Sequence, residues 1–105
     1  MTLGTYILKN RQPVRVDGLE WSYWCGSHND ERIVGRWEFG DIVVSTTFLS
    51  IDHNLFGDGP PILFETMVFG GPCGGRMRRY ATWEEAERGH MRVCKIVRRR
   101  TKVKS

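Results

Sequence analysis

Over most of the chain the apolar residues fall in short runs divided by turn-forming residues, and only toward the C-terminus does their spacing become helical. Thr5–Lys9 precedes Asn10-Arg11-Gln12-Pro13 and then Val14–Asp17, which predicts a weak β-hairpin. Residues 18–31 are polar and without period, and are expected to be irregular, although they hold Trp21, Tyr23 and Trp24. Arg32–Phe39 has strand character and ends at Gly40-Asp41, where Gly in the first central position predicts a two-residue type II′ turn. The next ten residues, Ile42–Ile51, are dominated by β-branched and aromatic side chains and predict a strand. Their lack of strict alternation points to a central strand with both faces partly covered. The Gly- and Pro-rich loop Asp52–Pro61 leads to a second strand, Ile62–Phe69, closed by Gly70-Gly71-Pro72-Cys73-Gly74-Gly75. Arg76–Tyr80 suits a short edge strand with its arginines facing water.

Thr82-Trp83-Glu84-Glu85 then has the form of a capping box. Trp83, Ala86, His90, Val93 and Val97, with Cys94 beside them, recur at helical spacing and form one stripe able to lie on a sheet, so a helix is expected over 83–98. Glu84, Glu85 and Glu87 at its start and arginines at its end match the helix dipole. Gly89 costs about 1 kcal/mol relative to Ala at this position, unless it serves a close approach of helix to sheet. The pattern is that of an α+β fold: an antiparallel meander of four to six strands with one C-terminal helix packed on it. Residues 1–98 form a single domain in this reading, and 99–105 a basic C-terminal tail.

Composition narrows the class. A chain of 105 residues holds one domain, and 40% hydrophobic with 27% charged residues excludes a disordered chain, a collagen-like repeat and a membrane span, so no membrane partner is expected. The net charge of +4 is unevenly spread. Residues 1–75 carry five Lys/Arg against nine Asp/Glu, for −4, while residues 76–105 carry eleven against three, for +8. The densest run is Arg98-Arg99-Arg100-Thr101-Lys102-Val103-Lys104. It either contacts phosphates or an acidic protein surface, or is the frayed end of a terminal helix. Cys25, Cys73 and Cys94 are odd in number and widely spaced, against a disulfide framework. The segment Met1–Lys9 lacks a charged stretch followed by an apolar one. A cytoplasmic setting is the expectation, that of the host cell if the protein is viral.

Two groups of residues could carry chemistry. If Ile51 pairs with Ile62, Phe48 faces Glu65 and Thr47 faces Thr66. Glu65 then lies in an otherwise apolar strand near Asp52 and His53, with His90 on the overlying helix. Asp52, His53 and Glu65 could serve as acid–base groups or metal ligands, or could hold the 52–61 loop by hydrogen bonds. Cys25-Gly26-Ser27-His28 places Cys and His three apart, and His90 and Cys94 share a helical face. Two Cys and two His can bind zinc, but the long interval between these pairs is not that of a zinc finger, and no cofactor is expected. The glycine-rich 70–75 segment lacks the Lys-Ser/Thr of a phosphate-binding loop. Cys73, near Arg76 and Arg78, is a conceivable reactive thiol without an evident base.

Three blocks, Val44-Ser45-Thr46-Thr47-Phe48-Leu49-Ser50-Ile51-Asp52-His53, Phe56–Gly71 and Arg79–His90, resemble a family of small uncharacterised phage and prophage proteins. The resemblance implies a viral context and transfers no catalytic residue. Asp52, His53, Glu65 and His90 lie inside the blocks; Cys25, His28 and Cys94 lie outside them. The favoured expectation is a phage accessory protein that binds a host or viral protein, such as an inhibitor of a host defence or regulatory factor. Its interface would draw on Trp21, Tyr23 and Trp24, on the 52–61 loop, or on Arg98, Arg99, Arg100 and Lys102. The aromatic trio could instead pin its segment to the core. The alternatives are a nucleic-acid binder using the basic helix and tail, with weak, sequence-indifferent affinity, and a small enzyme centred on Asp52, His53 and Glu65.

Overall fold

The structure is a computed structural model that describes residues 4–54 and 58–102; residues 1–3, residues 55–57 of the 52–61 loop and the 103–105 end of the basic tail lie outside the described residues. Strands β1 (Thr5–Lys9) and β2 (Gln12–Val16) form a two-stranded antiparallel hairpin. Its loop is only Asn10-Arg11, tighter than the sequence predicts, with φ of 51° and 65°. Two positive φ values are what a type I′ turn requires. The left-handed conformation is unfavourable for Arg11. Its guanidinium lies 5.0 Å from the centre of the Trp83 ring, a cation–π contact that offsets the cost.

Residues 18–31 are not irregular. They form helix α1 (Gly18–Ser27) and most of a 3-10 turn (Asn29–Arg32). Asp17 caps α1, its carboxylate accepting the Glu20 N–H at 2.9 Å. The helix has no apolar stripe to announce it, because only Trp24 is buried while Leu19 and Tyr23 stand in solvent. Trp24 meets Phe48 edge-on with ring centroids 5.8 Å apart, so one aromatic of the three pins this segment.

Strands β3 (Ile33–Phe39), β4 (Ile42–Phe48), β5 (Phe64–Phe69) and β6 (Met77–Tyr80) form an antiparallel meander in that order. Phe39 faces Ile42 across Gly40-Asp41, and Gly40 takes φ 59°, as the expected turn demands. β4 ends at Phe48, short of Ile51. Ser50 adopts φ 68°, its carbonyl accepts the Tyr6 N–H at 2.8 Å, and Ile51 bridges to Thr5 of β1. The turn at Ser50 thus carries the chain from the large sheet to the hairpin.

The expected β4–β5 register is wrong by one residue. Phe48 faces Phe64, Thr47 faces Glu65 and Thr46 faces Thr66. A one-residue slip moves every side chain to the other face. The observed register buries Phe64, Thr66 and Val68 and keeps the Glu65 carboxylate out of the core. β4 is central in its pairing but alternates strictly: Ile42, Val44, Thr46 and Phe48 are buried, and Val43, Ser45 and Thr47 are half-exposed.

Helix α2 (Trp83–Lys102) crosses one face of this sheet. The capping box forms, with the Glu85 N–H donating to Thr82 Oγ1 and the Thr82 N–H to Glu85 Oε1, both at 3.1 Å. Trp83, Ala86, Val93 and Val97 are buried along the predicted stripe. The first two join Phe48, Phe64 and the hairpin residues Ile7 and Leu8; the last two join Ile42, Val44 and Val68. Each of the larger aliphatic and aromatic side chains contributes about 1.5–3 kcal/mol when fully buried. α2 runs four residues past its expected end, so Arg99–Lys102 of the expected tail are helical. Cys73 is buried in the second cluster and is no exposed thiol. Among the described residues no helix is long and apolar enough to cross a membrane.

Candidate functional site

Beneath α2 the sheet carries a chain of polar side chains. Thr46 and Thr66, opposite each other and buried, bring their Oγ1 atoms within 2.6 Å. The Tyr80 hydroxyl donates to Thr66 Oγ1 at 3.1 Å, His90 Nδ1 lies 2.7 Å from Thr46 Oγ1, and Cys94 Sγ lies 3.7 Å from His90 Nε2. Two glycines make the room. A Cβ on Gly35 would stand 2.8 Å from the His90 ring, and a Cβ on Gly89 2.2 Å from the Tyr80 ring. Burial lowers the His90 pKa and raises that of Cys94. The pair therefore rests as imidazole and thiol, without the thiolate a nucleophile needs. The network satisfies buried polar groups and fixes the height of the helix above the sheet.

The proposed acid–base group does not assemble. Asp52 Oδ1 accepts the N–H groups of Asn54 and Ile62 at 2.8 and 2.9 Å. His53 Nδ1 lies 2.7 Å from the Ile51 carbonyl, which can only accept, so that nitrogen carries the proton. Both residues stitch the ends of the 52–61 loop. Glu65 lies on the sheet face away from α2, where it accepts from Arg79 Nε at 3.1 Å, and so is separated from His90 by the sheet. The four metal-ligand candidates also have separate surroundings. Cys25 approaches Ser50 at 3.8 Å, the His28 ring stacks on Trp24 with centroids 5.2 Å apart, and His90 and Cys94 belong to the network under α2. Among the described residues no three His, Cys, Asp or Glu side chains gather as a metal set.

What remains is charge. Arg88, Arg92, Lys95 and Arg99 recur at i, i+4, i+7 and i+11 along the side of α2 opposite Val93 and Val97, and all four are exposed. At 1.5 Å per residue they span about 16 Å. Arg78 faces Thr66 and so lies on the helix side of edge strand β6, whereas Arg79 faces Glu65 on the other side. Arg78, Tyr80, Gly89, Arg92 and Ile96 line a groove of about 130 Å³ between α2 and β6. An adjoining hollow of about 190 Å³ adds Glu85 and Arg88. Among the described residues the ion pairs are Arg36–Glu38 and Arg79–Glu65, which leaves Arg78, Arg88, Arg92, Lys95 and Arg99 without carboxylate partners. Arg98 and Arg100 flank the same ridge and are exposed. The residues expected from the sequence, Arg98, Arg99, Arg100 and Lys102, stand at the end of this ridge, and Arg88, Arg92 and Lys95 extend it toward the N-terminus of α2. The signal was there, in cations at i, i+4 and i+7 opposite an apolar stripe.

A larger concavity lies elsewhere. A cleft of about 450 Å³ separates the hairpin tip, the start of β3 and the first turns of α2, lined by Leu8, Arg11, Glu31, Val34, Trp83 and Glu87. Its one arginine is already placed over Trp83. Of the aromatic trio, Tyr23 is exposed, Trp21 half-buried and Trp24 part of the core. No family model, no curated protein and no solved structure matches the chain.

Proposed function

We propose that the protein is a small phage-type accessory protein that acts by binding a host or viral macromolecule, and that its contact surface is the basic face of α2 and β6. The observation that carries this reading is the set of five exposed cations without carboxylate partners on two adjoining elements. Binding needs an exposed patch with a few anchors, whereas catalysis needs a group free to exchange protons or attack. Asp52, His53 and Glu65 are engaged in hydrogen bonds that hold a loop and a sheet edge. A one-sided positive field also steers an acidic partner to the face. Inhibition of a host defence or regulatory factor in the cytoplasm of the infected cell is a role of this kind.

Affinity capture from host-cell lysate, with and without nuclease, tests the proposal. Wild-type protein should retain a discrete partner that Arg88→Glu/Arg92→Glu loses. Equal capture by both proteins, or a turnover activity abolished by His53→Ala, refutes it.

A further inference from the structure

The groove beside α2 has properties that select among anionic partners. Arg88, Arg92, Lys95 and Arg99 are separated by about 6, 4.5 and 6 Å along the helix axis, a cation density approaching the one phosphate per ~3.4 Å of a nucleic-acid strand. Arg78 adds a cation from the other side of the groove. Arginine presents a planar fork that matches a phosphate with two N–H groups. Single-stranded nucleic acid is held chiefly by bases stacking on exposed rings. The ring at this groove is Tyr80, which is half-buried against Gly89 with its hydroxyl held by Thr66, so it offers little surface for stacking. Neither α2 nor β6 contains Asn or Gln to read base edges. A protein partner would need pockets for anchor residues, and this groove holds only about 130 Å³, with Val93 buried at its floor. At the N-terminal end Glu85 joins the lining and repels phosphate, which keeps an anion to the part of the helix from Arg88 onward.

Resting on the binding reading above, we infer that the α2–β6 face seats the phosphate backbone of a nucleic-acid duplex, without reading its sequence. The contact is made by Arg78, Arg88, Arg92, Lys95 and Arg99.

The test is fluorescence anisotropy of the full chain against a labelled 20-base-pair DNA duplex, the same duplex as RNA, one of its single strands, and polyglutamate. Five phosphate contacts predict a salt slope of about −4.5, or about a 500-fold loss of affinity between 50 and 200 mM salt, from a micromolar dissociation constant. Arg78→Gln/Arg88→Gln/Arg92→Gln should bring the slope to about −1.8 while the circular dichroism spectrum and melting temperature stay near wild type. A scrambled duplex should bind equally. Binding of either duplex in this pattern supports the inference, and the DNA and RNA arms identify the source of the phosphates. Tighter binding of the single strand, a wild-type slope shallower than about −2, or unchanged binding by the triple variant overturns it. Binding of polyglutamate with neither duplex bound also overturns it, yet leaves the binding reading standing. That reading falls separately if capture from untreated lysate ignores the charge reversals.

Discussion

Replacing Gly89 with alanine sets two effects of opposite sign against each other. In an exposed helix interior, alanine is favoured over glycine by about 1 kcal/mol. At this position the new Cβ would lie 2.2 Å from Cζ and Oη of Tyr80 and 2.3 Å from Cε1. Carbon atoms settle at about 3.5–4.0 Å, so the ring must retreat by about 1 Å or more. A retreat of that size breaks the 3.1 Å bond from the Tyr80 hydroxyl to buried Thr66. That bond contributes about 0.5–1.5 kcal/mol, and forcing an extra methyl into a packed contact costs about 1–3 kcal/mol. After the helix gain is subtracted, Gly89→Ala should destabilise the fold by about 2 kcal/mol. In a domain of this size the melting temperature should fall by about 8–16 °C. Urea unfolding followed by circular dichroism measures the change directly. Removing the obstacle should reverse the sign: in a Tyr80→Ala background, Gly89→Ala should stabilise by about 1 kcal/mol. A wild-type background in which Gly89→Ala raises stability would refute the close approach of α2 to β6.

Trp83 is buried, edge-on to Phe64 at 6.1 Å, and Trp83→Ala should cost about 3–5 kcal/mol in urea unfolding; a loss below about 1 kcal/mol would contradict its burial. Burial depresses the His90 pKa, so its contribution is present in full above the unfolded value of about 6.5 and is lost as pH falls through the lower folded value. Stability should therefore decline on the acid side of about pH 6.5, and His90→Gln should flatten that limb of the melting profile, whereas an unchanged limb would refute the assignment. Like charges three or four apart on a helix cost about 0.2–0.5 kcal/mol per pair, so Arg92→Gln, which relieves repulsion with Arg88 and Lys95, should melt slightly higher than wild type at low salt and equal to it at high salt. A gain that persists at high salt would show that something other than charge repulsion had been relieved.

The features legible in the sequence are those that local chemistry decides. Gly40 marks its turn because the first position needs positive φ, and Thr82 and Glu85 mark the helix start because they satisfy each other's backbone. The stripe of Trp83, Ala86, Val93 and Val97 is legible because one face of one helix meets one sheet. The α1 helix is not, since it buries a single residue and leaves no period to find. The β4–β5 register is not, because it depends on where the chain leaves β4. That is set by Ser50 at φ 68° and its bond to Tyr6, a contact with a distant strand. The error in register then carried Glu65 to the wrong face and created an apparent catalytic group. Gly35 and Gly89 acquire meaning only beside His90 and Tyr80, which no spacing along the chain reveals.

The close approach at Gly89 connects the core to the surface. Tyr80 can spend its ring on the helix backbone and its hydroxyl on Thr66 only because position 89 has no side chain. That packing draws β6 in beside α2 and sets Arg78 across a narrow groove from Arg88 and Arg92. The cations so gathered repel one another, and no carboxylate among the described residues relieves Arg78, Arg88, Arg92, Lys95 or Arg99. The dipole at the C-terminal end of α2 offsets part of that repulsion, by about 0.3–1 kcal/mol for a cation in the last turn, but reaches neither Arg88 nor Arg92, nor Arg78 on β6. A helix needing stability alone could carry glutamate at 95 and form an i,i+4 pair with Arg99 at no loss of packing. Under the proposed binding function an anionic partner relieves this repulsion, and the Tyr80–Gly89 packing beneath holds Arg78 and Arg92 on facing elements.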